Sequence, residues 1–277
     1  MGANNAHHIA MEDTRPTSAL TIAGSDSGGG AGIQADLKTF AAHGVHGLSA
    51  IAALTAQHTR GVTAVHVPPV DFLRAQLDAC FDDFRIGAVK LGMLATAEVI
   101  DAVADALESH RPAHIVLDPV MVATSGAKLL ADDALDAMRA RLLPLATVLT
   151  PNIPEAELLL CHGIGSGSDA DAALAELRAM GPAVVLLKGG HLDEGGTVVD
   201  RLADAGGSLR FEHPRRDLDG HGTGCTLASA IAANLCLGLA PRETCAAATD
   251  YIATALRTAY HPGRSNVAVL DHLGNIL

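Results

Sequence analysis

ALTIAGSDSGGGAGIQAD, residues 19–36, joins an apolar strand to a glycine-rich turn and the start of a helix. The strand is predicted over 19–23 and the helix over 31–43. The same alternation of short apolar runs with amphipathic stretches repeats along the chain. Strand and helix alternation of this length predicts an α/β fold in which a mostly parallel central sheet is flanked by helices on both faces.

The other predicted elements follow the same pattern until residue 195, where the sequence changes character. Further strands are predicted over 48–54, 62–67, 88–91, 115–117, 147–149 and 183–187, and a β-hairpin over 197–202 and 208–213. Further helices are predicted over 71–84, 96–109, 132–142, 154–160, 169–180, 223–237 and 241–259. No repeat, charge block or long linker interrupts 18–260. We therefore predict a single domain over 18–277, after a flexible tail over 1–17.

Composition narrows the classes of partner. The 19 basic and 31 acidic residues give a net charge of −12, which argues against a general affinity for nucleic acid or an anionic membrane. The five cysteines are odd in number and scattered, without a Cys-x-x-Cys pair or a zinc-finger spacing. No segment reaches the roughly 18 apolar residues of a membrane helix. The sequence therefore predicts a soluble cytoplasmic protein with reduced cysteines.

A second glycine-containing turn reads His221-Gly222-Thr223-Gly224-Cys225-Thr226 and leads directly into an apolar helix. Unpaired amides and partial positive charge at a helix start favour an anion such as phosphate. Cys225 at that position is expected to have a pKa lowered from about 8.5 to roughly 3.5–7.5, which suits a base or nucleophile. The alternative is a tight turn followed by a buried structural cysteine.

The first glycine-rich turn fails two tests for familiar phosphate motifs. A P-loop ends in Gly-Lys-Ser/Thr, but no lysine precedes Lys38. A dinucleotide fingerprint matches formally at 30–35, but it requires an acidic residue about 20 positions later, and 37–70 contains no Asp or Glu. The turn is better suited to bringing backbone close to a small ligand. Asp36, one turn into the helix predicted over 31–43, would be a hydrogen-bonding anchor for the ligand or simply a solvated residue.

Three charged residues follow predicted strands, at the edge of a parallel sheet where ligands bind. Asp118 follows 115–117, Glu155 follows 147–149 and Lys188 follows 183–187. The two carboxylates suit Mg²⁺, which takes one or two carboxylates plus phosphate and water. Taken alone, each carboxylate could also have a purely structural role. Glu155, for example, also suits the first turn of a helix. Together with the anion-binding turn and the lysine, they predict phosphoryl transfer.

The motifs that carry these residues also resemble a known family. They are residues 24–39, Lys90-Leu91-Gly92-Met93-Leu94, Leu117-Asp118-Pro119-Val120-Met121, Thr150-Pro151-Asn152, Lys188-Gly189-Gly190-His191 and 221–226. In this order they are similar to the hydroxymethylpyrimidine/phosphomethylpyrimidine kinases of thiamine biosynthesis, in the ribokinase-like superfamily. The resemblance implies a three-layer ribokinase-like fold, ATP as co-substrate, Mg²⁺ as cofactor and a homodimer. It also implies two successive phosphorylations, of 4-amino-5-hydroxymethyl-2-methylpyrimidine and then of its monophosphate.

The resemblance also assigns roles to residues of this sequence. Cys225 stands where the superfamily usually has the aspartate that takes the hydroxyl proton. From its position at a strand end, we predict that Lys188 stabilises the transferred phosphoryl group. In the same predicted mechanism, Asp118 and Glu155 are expected to hold Mg²⁺, directly or through water. The substrate-binding positions are Gly24, Asp36, Gln57 and Met93, and the ATP and phosphate positions are Lys188, Gly222, Thr223, Gly224 and Asn152. Gln57 is expected just past the strand over 48–54, where its amide can pair with a ring nitrogen and an exocyclic amine.

One departure and two alternatives accompany this interpretation. The family commonly has Thr-His-Gly-Thr-Gly-Cys, whereas Asp219 and Gly220 precede His221 here. The extra acid beside the anion-binding turn can alter loop ordering or phosphate affinity. A pyridoxal or pyridoxine kinase is one alternative, because its substrate is also a nitrogen ring bearing a hydroxymethyl group. A non-catalytic sensor that binds a nucleotide or pyrimidine is the other.

Overall fold

Strands and helices alternate along most of the chain. The structure is a computed structural model that describes residues 13–122, 126, 129–131, 133–218 and 220–274. The strands are β1 Ser18–Asp26, β2 His46–His58, β3 Gly61–His66, β4 Ile86–Leu91, β5 His114–Leu117, β6 Val148–Leu149, β7 Val184–Leu187, β8 Thr197–Asp204, β9 Gly207–Pro214, β10 Gly220–His221 and β11 Ala268–Val269. The α-helices are α1 Gly32–Ala42, α2 Val70–Asp83, α3 Ala97–His110, α4 Ala134–Ala137, α5 Ile153–Leu160, α6 Gly167–Ala179, α7 Thr223–Cys236 and α8 Pro241–Arg257.

One large sheet organises these elements. Over the described residues its strand order is β3-β2-β1-β4-β5-β6-β7-β8-β9. The six strands from β2 to β7 in that order are parallel to one another. At one end β3 pairs antiparallel with β2, and at the other end β8 and β9 form an antiparallel hairpin beside β7. The predicted mostly parallel central sheet is confirmed.

Helices cover both faces of the sheet and create two hydrophobic cores. Side chains alternate between the faces along each strand. In β5, Ile115 and Leu117 pack with helices α2–α6, whereas Val116 between them packs with α1, α7 and α8. The arrangement is therefore three-layered. The carboxyl ends of the parallel strands meet at one edge, where β1 enters its glycine-rich turn and β5, β6 and β7 end close to predicted site residues.

Strand β1, predicted to end at 23, continues to Asp26, and the short strands β10 and β11 are not predicted from the sequence. Two further elements differ from the sequence prediction. Strand β2 continues beyond 54 to His58, because β3 folds back and pairs with it from Leu54↔His66 to His58↔Gly61. The helix predicted over 132–142 is α4 followed by a π-helical turn, Met138–Leu142, and a 3₁₀ turn, Leu143–Leu145. Pro144 in the last turn lacks an amide hydrogen and cannot continue an α-helix. Residue 132, residues 1–12 of the predicted tail and residues 275–277 of the predicted domain lie outside the described residues.

The C-terminal segment supports the start of α7. Strand β11 pairs with β10, immediately before the helix. Beyond β11, His272 is buried, and its Nε2 lies 3.0 Å from the Thr226 hydroxyl in the first turn of α7. That hydroxyl donates its proton to the Gly222 carbonyl at 2.8 Å, so His272 is the donor in the other bond.

Among the described residues, none of the helices combines the length and apolar character needed to cross a membrane.

Stability should depend on pH through His272. Burial lowers the pKa of His272 to about 4, from an ordinary value near 6.5. The unfolded chain therefore binds this proton more readily, and stability that is present above pH 6.5 is lost as the pH falls towards 4. We expect the free-energy advantage of the wild-type protein over His272→Gln to shrink by about 2 kcal/mol between pH 7.5 and pH 5 in urea unfolding. His261→Gln, an exposed change of the same kind, is the control. An advantage that is equal at both pH values would contradict this role.

Candidate active site

Three charged side chains converge where β5, β6 and β7 end. The ammonium of Lys188 lies 3.0 Å from Asp118 Oδ1 and 3.7 Å from Glu155 Oε2. Both carboxylates are buried. Attraction to them outweighs the effect of burial and raises the pKa of Lys188, so the lysine stays positively charged. The sequence placed these residues on one edge, and the structure brings their charged groups into direct contact.

The start of α7 faces the same cluster. A methyl group added at Gly224 would lie 3.0 Å from Lys188 Nζ and 3.5 Å from Asp118 Oδ2. The first amides of α7, the ammonium and the two carboxylates therefore surround one space. This is the convergence that phosphoryl transfer needs, because an anion there meets both helix amides and a fixed positive charge.

Glycine is required at the N-cap of α7. Gly222 has a φ of 81°, in the left-handed region, and a side chain there would meet the Gly30 carbonyl oxygen at 1.9 Å. The two glycine-containing turns are therefore packed backbone against backbone. The turn after β1 and the start of α7 form a single wall, although they lie far apart in the sequence.

Asp26 organises the turn after β1, a role that the sequence analysis missed. Its carboxylate accepts hydrogen bonds from the amides of Gly28 at 2.7 Å, Gly30 at 3.0 Å and Ala31 at 2.9 Å. His221 donates from Nε2 to the same carboxylate at 3.0 Å. Burial alone would raise the pKa of Asp26, but these hydrogen bonds outweigh it and hold the pKa below its usual value. An aspartate followed by glycines at a strand end is a signal for such a turn.

Glu155 and Asn152 form a capping box at the start of α5. The Asn152 side chain accepts from the Glu155 amide at 2.9 Å, and Glu155 accepts from the Asn152 amide at 2.8 Å. This box holds the Glu155 carboxylate beside Lys188. Burial, with the nearby negative charge of Asp118, raises the pKa of Glu155 to about 7 despite the attraction of Lys188. Asn152 lines the same cavity. The contact with ATP that the sequence predicts for it stays a prediction.

The prediction for the ionisation of Cys225 is wrong. Its thiol is half-buried at the start of α7. Burial raises the pKa of Cys225 to about 11, although the charge of Lys90 and a hydrogen bond from the Gly32 amide act in the opposite direction. Desolvation therefore outweighs the helix N-terminus, which alone would favour the thiolate. Cys225 lies in the first turn of α7, where the sequence predicts a helix start.

Three of the four predicted substrate-binding residues line the cavity. Gly24, Met93 and Gln57 are on its wall, and a methyl group at Gly24 would lie 3.0 Å from the Met93 sulfur. Gln57 belongs to β2 rather than to a loop. Its side-chain nitrogen lies 3.0 Å from His221 Nε2, and its side-chain oxygen lies 3.1 Å from the Thr55 hydroxyl. The amide is therefore held in position at one end of the cavity.

Asp36 differs from the direct contact that the resemblance implies. Its side chain has no exposed surface, and it lies behind the cavity wall. Lys90 contacts both of its carboxylate oxygens at 3.0 Å. Thr21 donates to one oxygen at 2.6 Å and Ser229 to the other at 2.7 Å. Of the three side chains that contact the Asp36 carboxylate, Lys90 lies along the cavity wall, whereas Thr21 and Ser229 do not.

The cavity has a volume of about 1270 Å³ and extends well beyond these residues. This is larger than the roughly 300–1,000 Å³ of a typical small-molecule site, so it has room for two ligands. Its other end is lined by parts of the β8–β9 hairpin and α8, including Asp200, His213, Arg215, Asp250 and Arg257. No sequence motif marks this end, because the fold brings these residues together from separate elements.

The chain is similar to known proteins over most of its length. A family profile described as phosphomethylpyrimidine kinase matches residues 26–270. The hydroxymethylpyrimidine/phosphomethylpyrimidine kinase of Streptomyces coelicolor is 45% identical over 93% of this chain and 94% of its own length. The thiamine biosynthesis bifunctional protein ThiED of Geobacter sulfurreducens is 49% identical over 90% of this chain, which spans only 51% of that longer protein.

A solved structure of a pyridoxal kinase is also similar to this chain. The pyridoxal kinase of Staphylococcus aureus, in complex with AMP-PCP and pyridoxal, superposes with a TM-score of 0.85. It is 32% identical and covers 94% of each chain. The predicted ribokinase-like fold is confirmed by this likeness together with the sheet topology. From the profile match and the identity of the full-length relative, we conclude that the chain belongs to the phosphomethylpyrimidine kinase family.

Proposed function

We propose that this protein uses ATP to phosphorylate 4-amino-5-hydroxymethyl-2-methylpyrimidine and then its monophosphate, in thiamine biosynthesis. The observation that carries the proposal is the position of Lys188. Its ammonium contacts Asp118 and faces Gly224 at the start of α7, within a cavity that also contains Gln57. The site therefore offers a place for a transferred phosphoryl group and, at one end, an amide suited to a pyrimidine ring.

In the proposed reaction, Cys225 acts as a base. Its thiolate takes the proton of the substrate hydroxymethyl group, and the oxygen attacks the γ-phosphorus of ATP in line. A new oxygen–phosphorus bond forms as the bond between the γ-phosphorus and the ADP oxygen breaks. The amides of residues 222–225 and Lys188 stabilise the charge on the transferred group. For the second phosphorylation the attacking oxygen belongs to the monophosphate.

Mg²⁺ is part of the proposal. Asp118 and Glu155 present hard carboxylate oxygens at the phosphate end of the cavity, which fits a cation that also uses phosphates and water as ligands. In the described part of the chain, no group of three or more acidic, histidine or cysteine side chains could hold a metal by itself. ATP would have to supply the other ligands. When bound, Mg²⁺ neutralises phosphate charge during transfer.

A pyridoxal kinase is the second candidate, supported by the 32% identical structure from Staphylococcus aureus. The pyrimidine kinase of Streptomyces coelicolor is more similar to this chain, with a sequence identity of 45%. A non-catalytic sensor is less favoured, because Cys225, Lys188, Asp118 and Glu155 are all present in one site. We also propose a homodimer and a cytoplasmic location, which the family resemblance and the cysteine pattern support.

Replacement of the proposed base should remove turnover but not nucleotide binding. We expect Cys225→Ala to lower kcat by about 10²- to 10⁴-fold, the usual contribution of a positioned base. ATP affinity, measured by calorimetry, should stay nearly unchanged. Cys161→Ala is the matched control, because Cys161 is exposed and lies outside the cavity. Full turnover in Cys225→Ala would exclude the cysteine from the chemistry.

Added bulk at Gly224 should block transfer without unfolding the protein. A methyl group there would occupy the space between the first turn of α7 and Lys188 Nζ. We therefore expect Gly224→Ala to lower kcat by at least about tenfold, because the phosphoryl group loses its close approach to the helix amides. Gly163→Ala, in an exposed turn where a methyl group has only an ordinary contact, should retain wild-type turnover. Equal rates for the two variants would refute this position for the phosphoryl group.

The products formed from each alcohol identify the substrate. With ATP and Mg²⁺, we expect mass spectrometry to detect the pyrimidine monophosphate and then the diphosphate, with kcat/KM higher for the pyrimidine than for pyridoxal. A large preference for pyridoxal would favour the second candidate. Tight binding of ATP and pyrimidine without product would favour the sensor.

A further inference from the structure

Lys90 is a buried cation that the reaction described above does not use. It lies in β4, and its side chain has no exposed surface, yet it forms part of the cavity wall. Both oxygens of Asp36 accept from its ammonium at 3.0 Å. Attraction to Asp36 and other nearby acidic groups outweighs burial and raises the pKa of Lys90, so it is charged at neutral pH. Burial of a charged group costs free energy, so the position of Lys90 in the core calls for an explanation.

The hydrogen bonds of Asp36 locate this charge relative to α7. Ser229 of α7 donates to Asp36 Oδ1 at 2.7 Å. Cys225 lies four residues before Ser229 and therefore on the same face of the helix. The Asp36–Lys90 pair is thus held beneath the face of α7 that carries Cys225.

We propose that Lys90 is a positioning residue of the transfer reaction, whose buried ammonium favours the ionised form of Cys225 from behind the cavity wall. This inference rests on the proposed function, in which the Cys225 thiolate receives the substrate proton. The thiol of Cys225 ionises by releasing its proton to solvent before substrate binds, and Lys90 keeps its own proton throughout. Lys90 acts through Cys225 and needs no contact with the substrate.

Several charged groups act on Cys225, and their balance determines the sign of the effect. Burial raises its pKa most, and Lys90 is the strongest opposing influence. Asp36 from α1 and Asp118 after β5 both raise the pKa of Cys225, and Lys188 after β7 also interacts with its charge. The Gly32 amide donates to the sulfur and lowers the pKa. Removal of Lys90 should therefore leave burial and two carboxylates acting on the thiol with less opposition.

Alkylation of the cysteine measures this effect without any dependence on turnover. Iodoacetamide reacts with thiolates, so its rate at fixed pH follows the ionised fraction of each thiol. Site-resolved mass spectrometry at pH 9 can follow Cys225 and the exposed Cys161 in the same sample. Cys161 is the internal control, since it lies on α5's C-terminal cap and outside the cavity.

We expect Lys90→Met to slow alkylation of Cys225 by about tenfold or more, which corresponds to one pKa unit, and to leave Cys161 unchanged. Asp36→Asn should act in the opposite direction and speed the reaction, because it removes a negative charge. A merely structural disturbance would expose Cys225 and speed its alkylation in both variants. Opposite signs therefore separate an electrostatic role from loss of packing.

A Cys225 rate in Lys90→Met that equals or exceeds the wild-type rate would overturn the proposal. If this variant does not fold, the double variant Asp36→Asn, Lys90→Met removes both members of the pair and leaves no unpaired buried charge. Its Cys225 rate should lie below the wild-type rate, because the effect of Lys90 is the larger of the two. A wild-type or faster rate there would also overturn the proposal. Turnover of Cys225→Ala tests the proposed base separately, so the two ideas can fail independently.

Discussion

The contact between Lys188 and Asp118 is the interaction on which the site depends. Both groups are largely removed from water, and the ammonium lies 3.0 Å from the carboxylate. Loss of one partner from such a pair leaves an uncompensated charge, at a cost of about 3–5 kcal/mol. The pair also fixes the geometry of the other parts, since Glu155 and the first turn of α7 are both arranged around the same ammonium. A protein with net charge −12 thus holds a largely buried ammonium beside the first turn of α7, between two carboxylates.

Much of this arrangement could be predicted from the sequence. Parallel strands place their carboxyl ends on one edge, so the positions of Asp118, Glu155 and Lys188 after three strands were sufficient to predict their proximity. The glycines around Thr223 indicated, in the same way, the tight helix start that faces this cluster. These signals are local in the chain, and the parallel topology converts them into a spatial cluster.

Other features depend on contacts that a sequence pattern does not contain. The carboxylate of Asp36 is satisfied by donors from β1, β4 and α7, and only the assembled core shows that it lies behind the cavity wall. The ionisation of Cys225 is a second case, because the helix N-terminus is visible in the sequence whereas the depth of burial is not. Gln57 is a third case, since the pairing partner that extends β2 determines whether it lies in a strand or a loop.

The backbone contact between Gly222 and Gly30 has a consequence for how the protein acquires activity. The single wall that these two turns form is built from the first strand–helix unit of the chain and from α7, the second-last helix, with the C-terminal strand β11 completing the support. Closing so long a segment is entropically expensive and is favourable only when the intervening sheet is formed. A nascent or truncated chain can therefore contain native strands and helices and still lack a competent catalytic centre. Catalysis in this architecture is a property of the completed polypeptide.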